Sequence, residues 1–200
     1  MKNKLLLLST LAIAVFISSC NDEEIEKPVA TVNPPAQTIV SGSVTAIELT
    51  STITGTTFSW TVEQNGVSGA TPGTGNAIAQ TLTTTVLANG TAVYSITPSA
   101  NGVVGETVTV TITVTPPKIT YNAHIKPLIT VSCAPCHLAS GYNPVKLDQY
   151  AVAKSKINNI LDRVKREPTA PGFMPNGGTK LSTDKIALLE KWLDDGLLEN

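Results

Sequence analysis

The chain has 200 residues, with 14 Lys or Arg against 15 Asp or Glu and a formal net charge of −1. Only 4% of residues are aromatic, and no basic stripe interleaves with them, so nucleic acid is excluded as an expected partner. Three Cys, two His and two Met leave few side chains able to do metal or redox chemistry, and each can be placed individually.

Residues 1–19 read as an export signal. Lys2 and Lys4 form a short basic start, and Leu5 to Ile17 is apolar apart from Ser9 and Thr10. That stretch is shorter than the about 20 apolar residues a bilayer span requires. It ends in Ile17-Ser18-Ser19-Cys20, which resembles a bacterial lipobox. The resemblance implies a lipid-modified Cys20 as the mature N-terminus and attachment to a membrane, with the outer membrane the expected location, facing the periplasm or the cell surface. Asn21-Asp22-Glu23-Glu24 opens a solvated acidic tether over residues 20–33 and is similar to the acidic export tag of bacterial surface lipoproteins.

Residues 34–116 are rich in Thr, Val, Gly and Ala, and Glu48, Glu63 and Glu106 are their only charged side chains. Val108, Val110, Ile112 and Val114 alternate with Thr107 to Thr115, a period of two that predicts a strand with one buried and one hydroxyl-bearing face. Phe58, Trp60 and Val62 alternate likewise, as do Tyr94 and Ile96 before Pro98. Further β-prone runs lie near Val44 to Leu49 and Ile78 to Val86. Asn65-Gly66, Pro72-Gly73, Asn89-Gly90 and Asn101-Gly102 supply turns. Six or seven short strands predict an antiparallel all-β sandwich around Trp60. The patterning resembles PKD-like and Ig-like modules of bacterial surface proteins, which implies a spacer or adhesion role. The three isolated carboxylates read as solvated strand positions and not as a catalytic site.

Pro116-Pro117 stops the last strand and stiffens the exit. Over residues 117–200 the pattern turns helical and basic, with eleven Lys or Arg against eight Asp or Glu from Lys118 onward. Helices are predicted over Tyr121 to Val131, with Pro127 in its first turn or at a kink, and over Tyr150 to Arg166. A third runs from an N-cap at Ser182 to near Gly196.

This half holds Cys133-Ala134-Pro135-Cys136-His137. Two thiols on one side of a helical turn can bond the two vinyl groups of a haem, and the adjacent His then faces the iron. A redox dithiol needs a βαβ frame, for which residues 118–200 show no strands. A zinc site needs four ligands, and only His124 or a carboxylate could join Cys133, Cys136 and His137. Haem attachment is the expectation, with His137 as proximal ligand. Met174, in Gly172-Phe173-Met174-Pro175-Asn176-Gly177-Gly178, is the expected distal ligand, a soft thioether on a loop shaped by Pro and Gly. His124 is the rival, an open distal site is a further alternative, and Lys180 is a remote further option.

Residues 121–196 resemble small planctomycete-type, class-I-like cytochrome c domains. Ile125-Lys126-Pro127-Leu128, the Cys133 to His137 motif, Val145-Lys146-Leu147-Asp148-Gln149-Tyr150, Phe173-Met174-Pro175 and Glu190-Lys191-Trp192-Leu193 carry the likeness. Asn176 departs from it where a second Pro is common. The resemblance implies a small all-α cytochrome c domain following the sandwich. It further implies one covalent haem c with thioether bonds at Cys133 and Cys136, and His137/Met174 axial ligation. The expected role is single-electron transfer with redox partner proteins and no enzymatic activity. Two alternatives stand beside it: a gas or redox sensor with a displaceable Met174, and a surface interaction protein that carries a haem domain.

Overall fold

The computed structural model describes residues 26–200. The export signal, Cys20 and the acidic run Asn21 to Glu24 lie outside the described residues. No helix among the described residues is long and apolar enough to cross a membrane.

The Val/Thr alternation forms strands as expected, in twelve segments: β1 (Thr31–Asn33), β2 (Ala36–Val40), β3 (Ser43–Val44), β4 (Ile47–Thr50), β5 (Thr57–Asn65), β6 (Val67–Ser68), β7 (Gly73–Thr74), β8 (Ala77–Ile78), β9 (Thr81–Thr84), β10 (Gly90–Ala100), β11 (Val103–Val104) and β12 (Val108–Thr115). One sheet runs β2-β12-β10-β5-β7 with β11 beside β10, and two three-stranded sheets run β1-β4-β8 and β3-β9-β6. Their inner faces share one core containing Ile47, Phe58, Trp60, Ile78, Leu82, Tyr94, Ile96 and Ile112. The hydroxyls of Thr109 and Thr111 stand on the opposite, exposed face of β12. Asn101 and Gly102 both take positive φ, 51° and 79°, at the tight turn joining β10 to β11.

Three expectations are corrected. The expected six or seven strands are twelve, because the runs at Val44 to Leu49 and Ile78 to Val86 each break in two and the short strands β1, β2, β6, β7 and β11 lie outside the alternating runs. The sandwich is not wholly antiparallel, for β2 pairs in parallel with β12, Ala36 opposite Thr111. A parallel pair needs a long crossover, and the whole intervening sandwich supplies it. β10 also continues through Pro98 instead of stopping before it. The ladder to β12 ends at Ile96–Val108 and the one to β11 starts at Ser99–Val104, so Pro98 falls in the break between the two.

After Pro116, Pro117 and Lys118 the chain enters a second, separate core. A single π-helical turn (Tyr121–Ile125) leads into α1 (Lys126–Ser132), with Pro127 in the first turn, where its missing N–H breaks no helical bond. α2 (Tyr150–Lys165) buries Ala153, Ile157, Ile160, Leu161 and Val164 on one face. α3 (Thr183–Asp194) starts where Ser182 Oγ accepts the Lys185 N–H at 3.4 Å, and it buries Leu189 and Trp192. Trp192 is fully buried, with ring centroids of Tyr121 and Tyr150 at 5.8 and 6.5 Å. Its Nε1–H donates to the Leu198 carbonyl at 2.9 Å, so the C-terminal residues close over the aromatic cluster.

Candidate functional site

The end of α1 delivers the first cysteine. Cys133 N–H still donates to Ile129 O at 2.8 Å, and His137 N–H then donates to Cys133 O at 3.0 Å across the turn. Both thiols are free and half-buried. Burial pushes the Cys133 thiol up to about 11, against the opposing charge of Lys185. It is therefore a neutral thiol at ordinary pH, the wrong state for thiol–disulfide exchange. Cys136 Sγ lies 3.1 Å from the hydroxyl of the exposed Tyr142.

A return strap over residues 143–148 shapes the motif from behind. Asn143 N–H donates to Cys136 O at 3.2 Å, and Leu147 N–H donates to His137 O at 2.8 Å. Ala139 N–H donates to Asp148 Oδ2 at 2.8 Å. Gly141 permits the reversal, since a Cβ there would lie 2.1 Å from Pro135 O and 2.3 Å from Cys136 O. Most telling is His137 Nδ1, 2.9 Å from the Val145 carbonyl oxygen. A carbonyl can only accept, so Nδ1 carries the proton and the lone pair sits on Nε2.

His124 has the opposite arrangement. Thr120 N–H donates to His124 Nδ1 at 3.1 Å, so the Nδ1 lone pair is occupied and the proton sits on Nε2. The π turn thus uses His124 to hold its own entry, and it is a poor ligand in that tautomer. Lys180 is ion-paired to Glu167 at 2.7 Å.

Met174 is half-buried against the same core that Cys133, Leu138 and Val145 join from the motif side. Its N–H donates to Arg163 O at 3.2 Å. Gly172 and Gly177 take positive φ, 76° and 68°, as the glycine-rich sequence predicts. Gly178 N–H closes a turn onto Pro175 O at 3.0 Å, with Asn176 inside it in place of a second proline. Among the described residues no three His, Cys, Asp or Glu side chains gather as a metal-binding group. The four-ligand protein set that zinc requires is therefore not assembled around Cys133 and Cys136.

The sandwich offers little comparable chemistry. Two shallow clefts of about 240 and 340 Å³ share Phe58 and Asn76 and are edged by Thr and Ser hydroxyls. Glu48, Glu63 and Glu106 are exposed. Residues 37–118 match the family of PKD-like domains. The match runs from β2 to just beyond β12 and includes none of the helices. An all-β PKD-like sandwich followed by a small helical part is thus the architecture of the chain. No curated protein matches it.

Sequence reasoning missed Gly141, Tyr142 and Arg163, and it gave Asp148 no role. Their parts in the site arise from loop closure, which no spacing rule signals.

Proposed function

We propose that the chain is a lipid-anchored, extracytoplasmic c-type cytochrome that passes single electrons, with Cys133 and Cys136 as thioether anchors and His137 and Met174 as axial ligands. The observation that carries the reading is the His137 Nδ1–H bond to the Val145 carbonyl. A ligating His characteristically donates its other ring N–H to a backbone carbonyl, which sets the tautomer and the ring orientation. The chain has built that outer partner for His137 and has given His124 the reverse tautomer.

The other residues fit a haem in the same way. Cys133 and Cys136, both free and half-buried, would hold the haem through thioether bonds. Cys133, Leu138, Val145 and Met174 are half-buried side chains on one core, able to cover an apolar ring and exclude water from it. When bound, a c-type haem supplies a one-electron iron couple. Were His137 and Met174 both to hold the iron, the chain would leave no open position for oxygen or peroxide, which favours a carrier over an enzyme. The anchor rests on Cys20 and the residues before it. The PKD-like sandwich, almost uncharged, would serve as a spacer that holds the helical half away from the membrane.

The test is the optical spectrum of the reduced protein, matured with c-type machinery, before and after CO. A sharp low-spin spectrum indifferent to CO is expected. A CO-shifted spectrum would move the sensor reading ahead, and absence of any haem band would return the motif to thiol chemistry. Met174→Ala should retain covalent haem, open the iron to CO and lower the reduction potential. An unchanged potential would sink the assignment of Met174.

A further inference from the structure

The loop that carries Met174 is exposed and irregular, yet it is tied to the last turn of α2 in both hydrogen-bonding senses. The final carbonyls of a helix have no partner within it. Arg163 O is one of these, and Met174 N–H fills it at 3.2 Å. In the reverse direction, Arg163 Nη1 donates to Gly172 O at 3.3 Å and Arg166 Nη1 donates to Pro171 O. Arg166 is itself steadied by Asp162, whose Oδ2 lies 2.6 Å from Nη2. Gly172 fits this arrangement twice over. Its φ of +76° is one that other residues rarely adopt, and a Cβ would come within 2.8 Å of Arg166 Nη1 and 3.2 Å of Arg163 Nη1.

We infer that Arg163 and Arg166 are positioning residues for Met174, a guanidinium clamp that holds residues 171–174 on the end of α2 and so keeps the distal side closed to small neutral ligands. The inference rests on the reading of Met174 as an axial ligand. Arginine suits the task because its planar fork stays charged and makes two directed bonds at once, as Arg166 does to Pro171 O and Asp162. Each exposed bond is individually weak. Their effect lies in converging, with the Arg163 carbonyl, on three backbone groups of residues 171, 172 and 174, next to one side chain. The clamp therefore sets where this protein falls between a closed electron carrier and an open ligand-binding haem.

The experiment uses the full haem-bearing chain, reduced at neutral pH, with CO as probe and stopped-flow absorbance as readout. Arg163→Ala/Arg166→Ala should bind CO roughly tenfold or more faster than the parent, approaching Met174→Ala, with covalent haem and far-UV circular dichroism unchanged. Arg163→Lys and Arg166→Lys, which keep the charge and lose the fork, should fall between. These single variants decide the matter if the double variant does not accumulate. A merely structural stitch would shift the melting temperature and leave CO kinetics alone, and that result would overturn the clamp. If Met174→Ala itself responds to CO as the parent does, the ligand assignment fails first and takes the clamp with it. If Met174→Ala opens the iron and the arginine variants do not, the clamp alone fails.

Discussion

In the sandwich, Gln80 sits at the centre of a polar network closed within itself. Its Oε1 accepts from Tyr94 OH at 2.8 Å and Thr71 N–H at 3.0 Å, its Nε2 donates to Thr71 O at 2.9 Å, and its N–H reaches Thr45 Oγ1 at 2.9 Å. Tyr94 is fully buried by this arrangement, and its phenol is pushed up to about 12 by that burial. The network joins only residues of the sandwich, with Thr71 at its exposed edge. In the helical half the polar side chains work on loops instead: Asp148 on Ala139, two residues past the motif, His137 on its strap, Arg163 and Arg166 on the Met174 loop. The Asp148 Oδ1 atom there is buried without a partner in the protein, the single such side-chain oxygen or nitrogen among the described residues. The contrast separates two uses of hydrogen bonding. One half spends it on completing its own core, the other on presenting a thiol pair, an imidazole nitrogen and a thioether.

The comparison breaks most completely at the cysteines. Cys133→Ala/Cys136→Ala should abolish covalent haem, leaving no haem-stained band on a denaturing gel. The PKD-like sandwich contributes no atom to that site, so its unfolding transition should be untouched. A persistent band would end the assignment of Cys133 and Cys136 as the thioether anchors.

Next in size are the two tryptophans, one in each core. Trp60 packs against Gly73, where even a Cβ would come within 2.8 Å of its ring, and Trp192 packs between Tyr121 and Tyr150. Replacing either with Ala should cost about 3–5 kcal/mol of the half it belongs to. Each variant leaves a single tryptophan, so its fluorescence in urea reports the intact half. The midpoint from Trp60 in Trp192→Ala should match the parent sandwich. A comparable shift in both halves would mean that they unfold as one unit.

Much of this division was legible in the residues, and for a physical reason. Alternation in Val108 to Thr115 and the 3.6-residue spacing of Ile157, Ile160, Leu161 and Val164 are local patterns that one buried face imposes. The Ser182 cap and the positive φ of Gly172 and Gly177 follow from chemistry within a few residues. Pairing between distant segments was not legible. Nothing in Ala36–Val40 announces a parallel partner at Thr111–Thr115, and alternation reads the same for either direction. The candidate site divides likewise. Cys133, Cys136, His137 and Met174 stand in recognisable strings, whereas the Val145 carbonyl and the Arg163 and Arg166 side chains matter only because of where the loops return. A backbone carbonyl has no residue type to read.

The smallest expected effect concerns the seam where the chain enters the helical half. Asp195, just beyond α3, accepts the Ile119 N–H on Oδ2 at 2.8 Å and the Lys191 ammonium on Oδ1. Burial pulls its carboxyl up, but the bonds from Ile119 and Lys191 and the charges of Lys191 and Lys118 outweigh it and hold the group below its ordinary value. A depressed carboxyl binds its proton more weakly in the folded protein than in the unfolded chain. Its contribution is therefore present in full above the usual carboxylate range, near pH 4, and is lost as pH falls through the lower, folded value. Asp195→Asn keeps an oxygen for Ile119 and loses the charge. The variant should melt below the parent at pH 7, and the gap should close as both are taken toward pH 3. A gap that stayed constant across that range would assign Asp195 a role of shape alone, because only the charged form of the parent differs electrostatically from the amide.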